Sequence, residues 1–395
     1  MKRINLIIIA LCATMNIQAQ RTMSDMLNEI EQNNSTLKAL RQQADADKRE
    51  AGTELGPGDL EIGLNRLWGS PTAIGNRTDF SISQPIDIAT VGGSKKRVAD
   101  RKRQGINLQY AVDRNAVMLE AKKLIIDIIY FNAMAKEADI RMAHADTIMQ
   151  SEKSKYECGE IDMIEYNNAR INYANATAMQ TQINSQRDAA IASIKRLNGG
   201  KSIDITQICY EPISLPRNFD LWYDNIEKHS LTMALWANNV ALRKKEVTLA
   251  KTENLPSLSV GYMSEKTVGE RYQGVALGMT IPIWNNRNKV KQAKAAMEAT
   301  KEYQKDAQCQ LRSILESLYI QCTALKQNTD TYRQALDNAN NSQMLKTALN
   351  LGEISLVEYM MQMALLYDTI DNALSTERDY QKAYAEMMAA AMAED

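Results

Sequence analysis

Histidine is nearly absent from this sequence: His144 and His229 are the only two in 395 residues. Cysteine is sparse too, with Cys158, Cys209, Cys309 and Cys322 beyond the first twenty residues and no CxxC spacing among them. A Cys/His metal site therefore has few ligands to draw on. A large secreted domain has no need of disulfides either. Aromatic residues make up 6 % of the chain, with 3 Phe, and Gly (17) and Pro (7) are also scarce. No nucleophile–base pair, glycine-rich phosphate loop or paired-histidine motif is present. The sequence thus gives no case for an enzyme and implies no cofactor. Net charge is −1, so no bulk electrostatic argument points to nucleic acid. Beyond the N-terminus no segment carries the ~18 apolar residues that a membrane-spanning helix needs. What remains is rich in Ala, Met, Gln, Asn, Lys and Glu, which mostly favour long helices.

The first twenty residues, MKRINLIIIALCATMNIQAQ, form a separate element. Lys2 and Arg3 precede an apolar run from Leu6 to Leu11, and the segment ends in polar residues around Ala19. This reads as a secretory signal peptide over 1–19, cut after Ala19. Cys12 raises the question of a lipoprotein site, to which the preceding Ile-Ala-Leu is a poor match.

One phrase occurs twice. YECGEIDMIEY spans Tyr156 to Tyr166, and LNLGEISLVEY spans Leu349 to Tyr359. Each holds Gly-Glu-Ile, a small polar residue, two apolar residues and Glu-Tyr. Upstream, TELGPGDLEIGL (Thr53 to Leu64) resembles TENLPSLSVGY (Thr252 to Tyr262), and DFSISQPIDI (Asp79 to Ile88) resembles VALGMTIPIW (Val275 to Trp284). A basic, polar run follows each second proline, GGSKKRVADRKR and NNRNKVKQAKA. The offsets fall between 193 and 199 residues, so one unit of nearly 200 residues is written twice. The predicted organisation is a first repeat over 20–198, a linker over 199–219, a second repeat over 220–391 and a tail over 392–395.

Both repeats share one internal order. A helix over Thr22 to Gly52 or Leu221 to Thr252 precedes two short segments that alternate apolar and polar residues. Val275, Leu277, Met279 and Ile281 alternate with small residues, as Leu60, Ile62 and Leu64 alternate with Glu61 and Gly63. Period two with one apolar face is the strand signature. A long helical stretch follows, Ser94 to Cys158 or Asn286 to Leu351, then a returning helix to Asn198 or Ala391. In the first long stretch Ala121, Leu124, Ile128, Phe131, Ala135, Ala138, Met142, Ala145 and Met149 step by three and four, a coiled-coil stripe. The repeated phrase falls where each long helix must turn back. Gly159 and Gly352 can take the left-handed conformation that ends a helix, and Asp162 and Ser355 can cap the next one. Glu165 and Glu358 stand three residues later, as in a capping box. The phrase thus predicts the tip of a helical hairpin.

The four strands cannot close a membrane barrel alone, because an open edge in lipid leaves backbone groups unpaired and closed barrels start at about eight strands. If they enter a membrane, several chains must share one barrel, and three chains would supply twelve strands. The bland alternative is a small soluble β-layer at one end of a helical coiled coil.

A signal peptide followed by two units of helix, strand pair, long helix, Gly-centred tip and returning helix resembles the outer-membrane factor (TolC-like) efflux channels. The resemblance covers essentially the whole mature chain. Its most specific parts are SQPIDIATVGGSKKR and TIPIWNNRNKVKQA, and the SQP and NRN within them look closest to the heavy-metal cation (CzcC-like) branch. The family implies a mainly α fold with a small β part. Coiled-coil hairpins form an α-barrel, and four strands per chain join a twelve-stranded β-barrel shared by a homotrimer in outer-membrane lipid. It also implies a passive duct for small molecules or metal cations, docked on a periplasmic adaptor that links it to an inner-membrane pump of the RND type. Gly159, Glu160, Ile161 and Asp162, with Gly352, Glu353, Ile354 and Ser355, would face the adaptor. Glu358, and Glu165 in the first repeat, would form the periplasmic constriction. A further family acid is Met361 here. Glu358 fits a capping-box role equally well, since that motif predicts a Glu there anyway.

Other readings stand beside this one. A soluble periplasmic scaffold without a pore would use the same helices, and a polypeptide secretion outlet would share the fold. The 21 Met residues read as packing filler, with no ligand-like cluster. The run Lys95, Lys96, Arg97, Arg101, Lys102, Arg103 suits either a lipid headgroup layer or a plain solvated helix start. Trp284 could be an interfacial anchor.

Overall fold

The computed structural model describes residues 21–282, 287–338 and 341–391. The signal-peptide segment with Cys12, Trp284 and the tail 392–395 lie outside them. In chain order the described helices and strands are α1 (Met23–Asn33), α2 (Ser35–Glu50), β1 (Glu61–Trp68), β2 (Asn76–Ile86), α3 (Ile88–Val91), α4 (Ser94–Glu157), α5 (Met163–Leu197), α6 (Phe219–His229), α7 (Leu231–Thr252), β3 (Ser257–Lys266), β4 (Arg271–Thr280), α8 (Arg287–Asn338), α9 (Asn341–Asn350) and α10 (Leu356–Ala390). The chain is mainly helical with one four-stranded sheet.

Two compact units form, and each draws on both halves of the chain. Among the described residues, one takes 21–38, Arg114–Ile226, 312–338 and 341–391; the other takes Ala39–Asp113, 227–282 and 287–311.

In the helical unit, the stepped stripe on α4 faces inward. Ala121, Ile128, Ala135, Ala138 and Ala145 are buried, and the larger residues between them are half-buried. One core joins Met26 and Ile30 of α1 to Ile125 and Ile128 of α4 and to Ile194 and Leu197 of α5. The connection after α5 is part of this core. Ile203 and Ile205 pack into it, Asn132 donates to the Ile205 carbonyl at 2.8 Å, and the Tyr210 hydroxyl donates to the Ile126 carbonyl at 2.9 Å. Each fully buried Ile contributes on the order of 2 kcal/mol of transfer free energy.

The first helix of each repeat is interrupted, where one unbroken helix is expected from the sequence. Asn34, almost fully buried, ends α1 and caps α2: the Leu37 amide donates to its Oδ1 at 2.8 Å. Its Nδ2 also donates to the Leu197 carbonyl at the end of α5, at 2.8 Å. Asparagine breaks the helix here because its side chain offers the backbone a competing set of bonds. In the second repeat the break falls at Ser230, buried but with an Oγ that makes no hydrogen bond.

The second unit holds the sheet, antiparallel in the order β1-β2-β3-β4. Register places Ile62, Ile82, Tyr262 and Val275 in one row across all four strands, and Leu258 opposite both Ile86 and Met279. Directly opposed residues share a face, so this face is mostly apolar over its middle rows, with Leu64, Val275 and Leu277 71–79 % exposed, while Arg66, Gln84, Ser264 and Gln273 share it. The other face carries Gly63, Ser81, Ser83, Ser259, Gly261, Gly274 and Gly278. Among the described residues β1 pairs only with β2 and β4 only with β3, which leaves both outer edges of the sheet open.

Candidate functional site

The two repeated phrases build hairpin tips by the same device. After α4, Gly159 takes φ +75°, its amide donates to the Tyr156 carbonyl at 3.0 Å, and Glu160 donates to the Lys155 carbonyl at 2.9 Å. After α9, Gly352 takes φ +72°, donates to Leu349 at 3.1 Å, and Glu353 donates to Ala348 at 2.9 Å. Both are Schellman closures, which need a left-handed residue at that point. Asp162 then caps α5, accepting from the amides of Ile164 (2.8 Å) and Glu165 (2.9 Å). Ser355 caps α10, and there the reciprocal box is complete: the Glu358 amide donates to Ser355 Oγ at 3.2 Å, and the Ser355 amide donates to Glu358 Oε2 at 2.9 Å. The box is one-sided at Asp162, where a Glu165 carboxylate would meet a second carboxylate instead of a hydroxyl.

Glu160, Asp162, Glu165, Glu353, Ser355 and Glu358 are all exposed, while Ile161 and Ile354 are half-buried. No hydrogen bond or ion pair joins Glu165 to Glu358 among the described interactions. The Ser355 amide, and then its hydroxyl, hold the Glu358 carboxyl below the usual range. Around these acids stand exposed apolar side chains: Met163 and Ile164 on the first tip, Leu351, Val357 and Met361 on the second.

The tips differ in what the phrase's last tyrosine does. Tyr166 stays local, stacked on Tyr156 with ring centroids 5.3 Å apart and near the Arg170 guanidinium. Tyr359 is 1 % exposed and packs with Leu356 and Met363 against Ile148 of α4 and Ala169 of α5. Its hydroxyl lies 2.7 Å from Nε2 of His144, and the Tyr367 hydroxyl lies 3.1 Å from Nδ1. A neutral imidazole satisfies both contacts with one N–H donor and one acceptor nitrogen. One turn earlier on α4, Arg141 donates to both carboxylate oxygens of Asp371 (2.9 and 2.6 Å) and lies over the Tyr367 ring at 4.5 Å. Burial, and then the charge of Lys346, push His144 below its ordinary pKa; burial pushes Tyr359 and Tyr367 up to about 12. Glu137, also buried, is pushed up by desolvation against the opposing pull of Arg141.

Sequence reasoning passed over this anchor. Its only visible trace is a polar ladder, Glu137, Arg141 and His144, at helical spacing beside an apolar stripe.

The comparisons with known proteins fit this geometry. The family model described as outer membrane efflux protein matches residues 222–391, the second repeat. By that match, the second repeat resembles outer membrane efflux proteins. The fold extends the likeness over nearly all of the chain. The CmeC outer membrane channel of Campylobacter jejuni shares the fold at TM-score 0.70 and 15 % identity, covering 93 % of this chain and 85 % of that one. The outer membrane protein VceC of Vibrio cholerae does so at 0.74 and 11 %, covering 94 % and 96 %. A membrane protein from Pseudomonas aeruginosa gives 0.76 and 14 %, covering 94 % and 90 %. No curated protein matches the chain. The chain as a whole shares the TolC-like fold of these solved outer-membrane channels.

Proposed function

We propose that the chain is one protomer of a homotrimeric duct, the outer-membrane part of a tripartite efflux system. The observation that carries this reading is the sheet: four strands, one face with an exposed apolar band, and two open edges among the described residues. Open edges in hydrocarbon leave backbone groups unpaired. Three copies, each joining β1 to the next copy's β4, would close twelve strands and leave no edge. The small and hydroxyl side chains of the other face then line the lumen, and the apolar face meets outer-membrane lipid. The test is extraction and mass. A protein that needs detergent and runs with the mass of three chains supports the duct. A monomer recovered in buffer alone would instead support the scaffold.

The tips are the proposed docking points for a periplasmic adaptor, itself joined to an RND-type pump in the inner membrane. Gly159, Glu160, Ile161, Asp162, Gly352, Glu353, Ile354 and Ser355 supply the contact surface, with the exposed apolar residues beside them. Glu358, with Glu165, is the proposed constriction: three copies make a ring of acids that attracts cations and repels anions. The capping geometry supports a charged Glu358, since its serine partners favour the ionised form. Cargo follows the SQP and NRN likeness: metal cations, with other small molecules and polypeptides as the outcomes to be separated. A strain lacking the gene is grown on graded divalent metals, copper, bile salts and dyes, with complementation by wild type, Glu358→Gln and Glu358→Ala. Selective metal sensitivity that neither variant rescues supports an acidic cation gate. Rescue by Glu358→Gln but not by Glu358→Ala assigns the residue to capping alone. Sensitivity to bile salts and dyes with metals tolerated removes the metal reading.

A further inference from the structure

Where the sheet ends, the helices of the same unit carry an unusual set of lysines. A groove of about 540 Å³ between α7 and α8 is lined by Lys244, Lys251 and Lys294 with Thr248 and Glu298, and by Val247, Ala295 and Met297 as its apolar part. Val247 and Met297 belong to the small core that seals α7 against α8. All three lysines are exposed, and none has an ion pair or hydrogen bond among the described interactions. The acids in and beside the groove pair with other cations: Glu298 with Lys301 at 2.9 Å, Glu246 with Arg243 at 2.7 Å, and Glu253 with Lys289 at 3.7 Å. The groove therefore sets three lysines against one carboxylate, Glu298, which is itself paired with Lys301, and keeps a net positive charge.

Its level along the chain gives that charge a partner. Lys251 stands in the last turn of α7, and the lipid-facing row of β3 begins seven residues later, at Leu258. Lys244 is about 10 Å below Lys251 at 1.5 Å per residue. Lys294 sits the same number of residues into α8, from its start at Arg287. Polar headgroups occupy a layer of roughly 5–8 Å beyond the hydrocarbon, and a lysine stem can lie along apolar surface while its ammonium reaches into that layer.

We propose that this groove is a binding site for the headgroup of an anionic phospholipid of the inner leaflet. The three ammonium groups hold the phosphodiester, their stems lie along Val247, Ala295 and Met297, and the acyl chains rise from it toward the apolar face of the sheet. A zwitterionic headgroup carries its own cation and gains little from three more. The inference rests on the outer-membrane duct reading, because only that reading sets the level of the bilayer.

The test uses detergent-purified full-length protein and counts bound lipid by native mass spectrometry, with phosphatidylglycerol and phosphatidylethanolamine titrated separately. Wild type should retain phosphatidylglycerol in preference. Each lysine near an anionic surface is worth about fivefold, so Lys244→Gln, Lys251→Gln and Lys294→Gln together should remove the preference by tenfold or more. The paired Lys301→Gln and Lys305→Gln, on the same helix, should leave it in place. Equal retention by wild type and the triple variant overturns the site. So does an unchanged lipid count accompanied by altered ion selectivity of the reconstituted channel, which would place the lysines in the lumen. Failure of the duct reading looks different: the protein would then leave the membrane fraction without detergent.

Discussion

The two hairpin tips are written with almost the same words, yet they are held in different ways. Both close on a left-handed glycine and both restart on a capping side chain. Tip one then looks after itself, with Tyr166 stacked on its own hairpin and Asp162 capping alone. Tip two is fastened to the other hairpin by Tyr359, His144, Arg141 and Asp371. A local motif fixes the turn, but the packing partner decides how much the turn is worth.

The largest expected break is Tyr359→Ala. It empties a fully buried ring site and leaves His144 without one partner, so it should cost about 3–5 kcal/mol, read as a lower melting temperature of the purified channel. Tyr166→Ala, the same letter of the phrase in the other tip, should cost less, about 1 kcal/mol, as a half-buried contact within one hairpin does. Equal losses would erase the distinction between the tips. Next comes Arg141→Met. Arg141 is 6 % exposed but Asp371 is 27 % exposed, so removing one partner should cost about 2–3 kcal/mol, the low side of a fully buried pair. Limited proteolysis should then cut first near the second tip, and cutting at the first tip instead would contradict the anchor.

The glycines sharpen the comparison from the opposite side. A Cβ at Gly159 or Gly352 would meet nothing within 4 Å, so Gly→Ala should cost only the left-handed strain, about 1 kcal/mol, and the same in both tips. Unequal costs would mean that tertiary contacts reach the turns themselves. Smallest is a pH effect confined to tip two. Burial lowers the His144 pKa from 6.5, so below about pH 6.5 the unfolded chain binds more protons than the folded one, and stability drops as pH is lowered until the folded value is passed. Arg141, Glu137 and Asp146 on α4, Tyr359, Tyr367 and Asp371 on α10, and Lys346 on α9 set that environment. His144→Gln should flatten the acid side of a melting-temperature profile, and an unchanged slope would show that other groups carry it.

Much of this was legible in the chain. The repeat, the two tips, their caps and the alternating strands all arise from residues within a turn or two of one another, where glycine φ, side-chain caps and period two act directly. The breaks at Asn34 and Ser230 were less so. Asn34 interrupts a good helix because its amide also meets the carbonyl end of α5, 163 residues away. The anchor of tip two was least legible, since Arg141 reaches Asp371 over 230 residues and His144 reaches Tyr359 over 215.

The sequence by itself therefore determined the local grammar: where helices stop, which strand faces are apolar, and that one design is used twice. Only the tertiary structure decided which copy of the phrase's last tyrosine is buried and which stays half-exposed. Burial depends on what a distant helix places opposite, and a buried hydroxyl or guanidinium is stable only where that helix also supplies its partner.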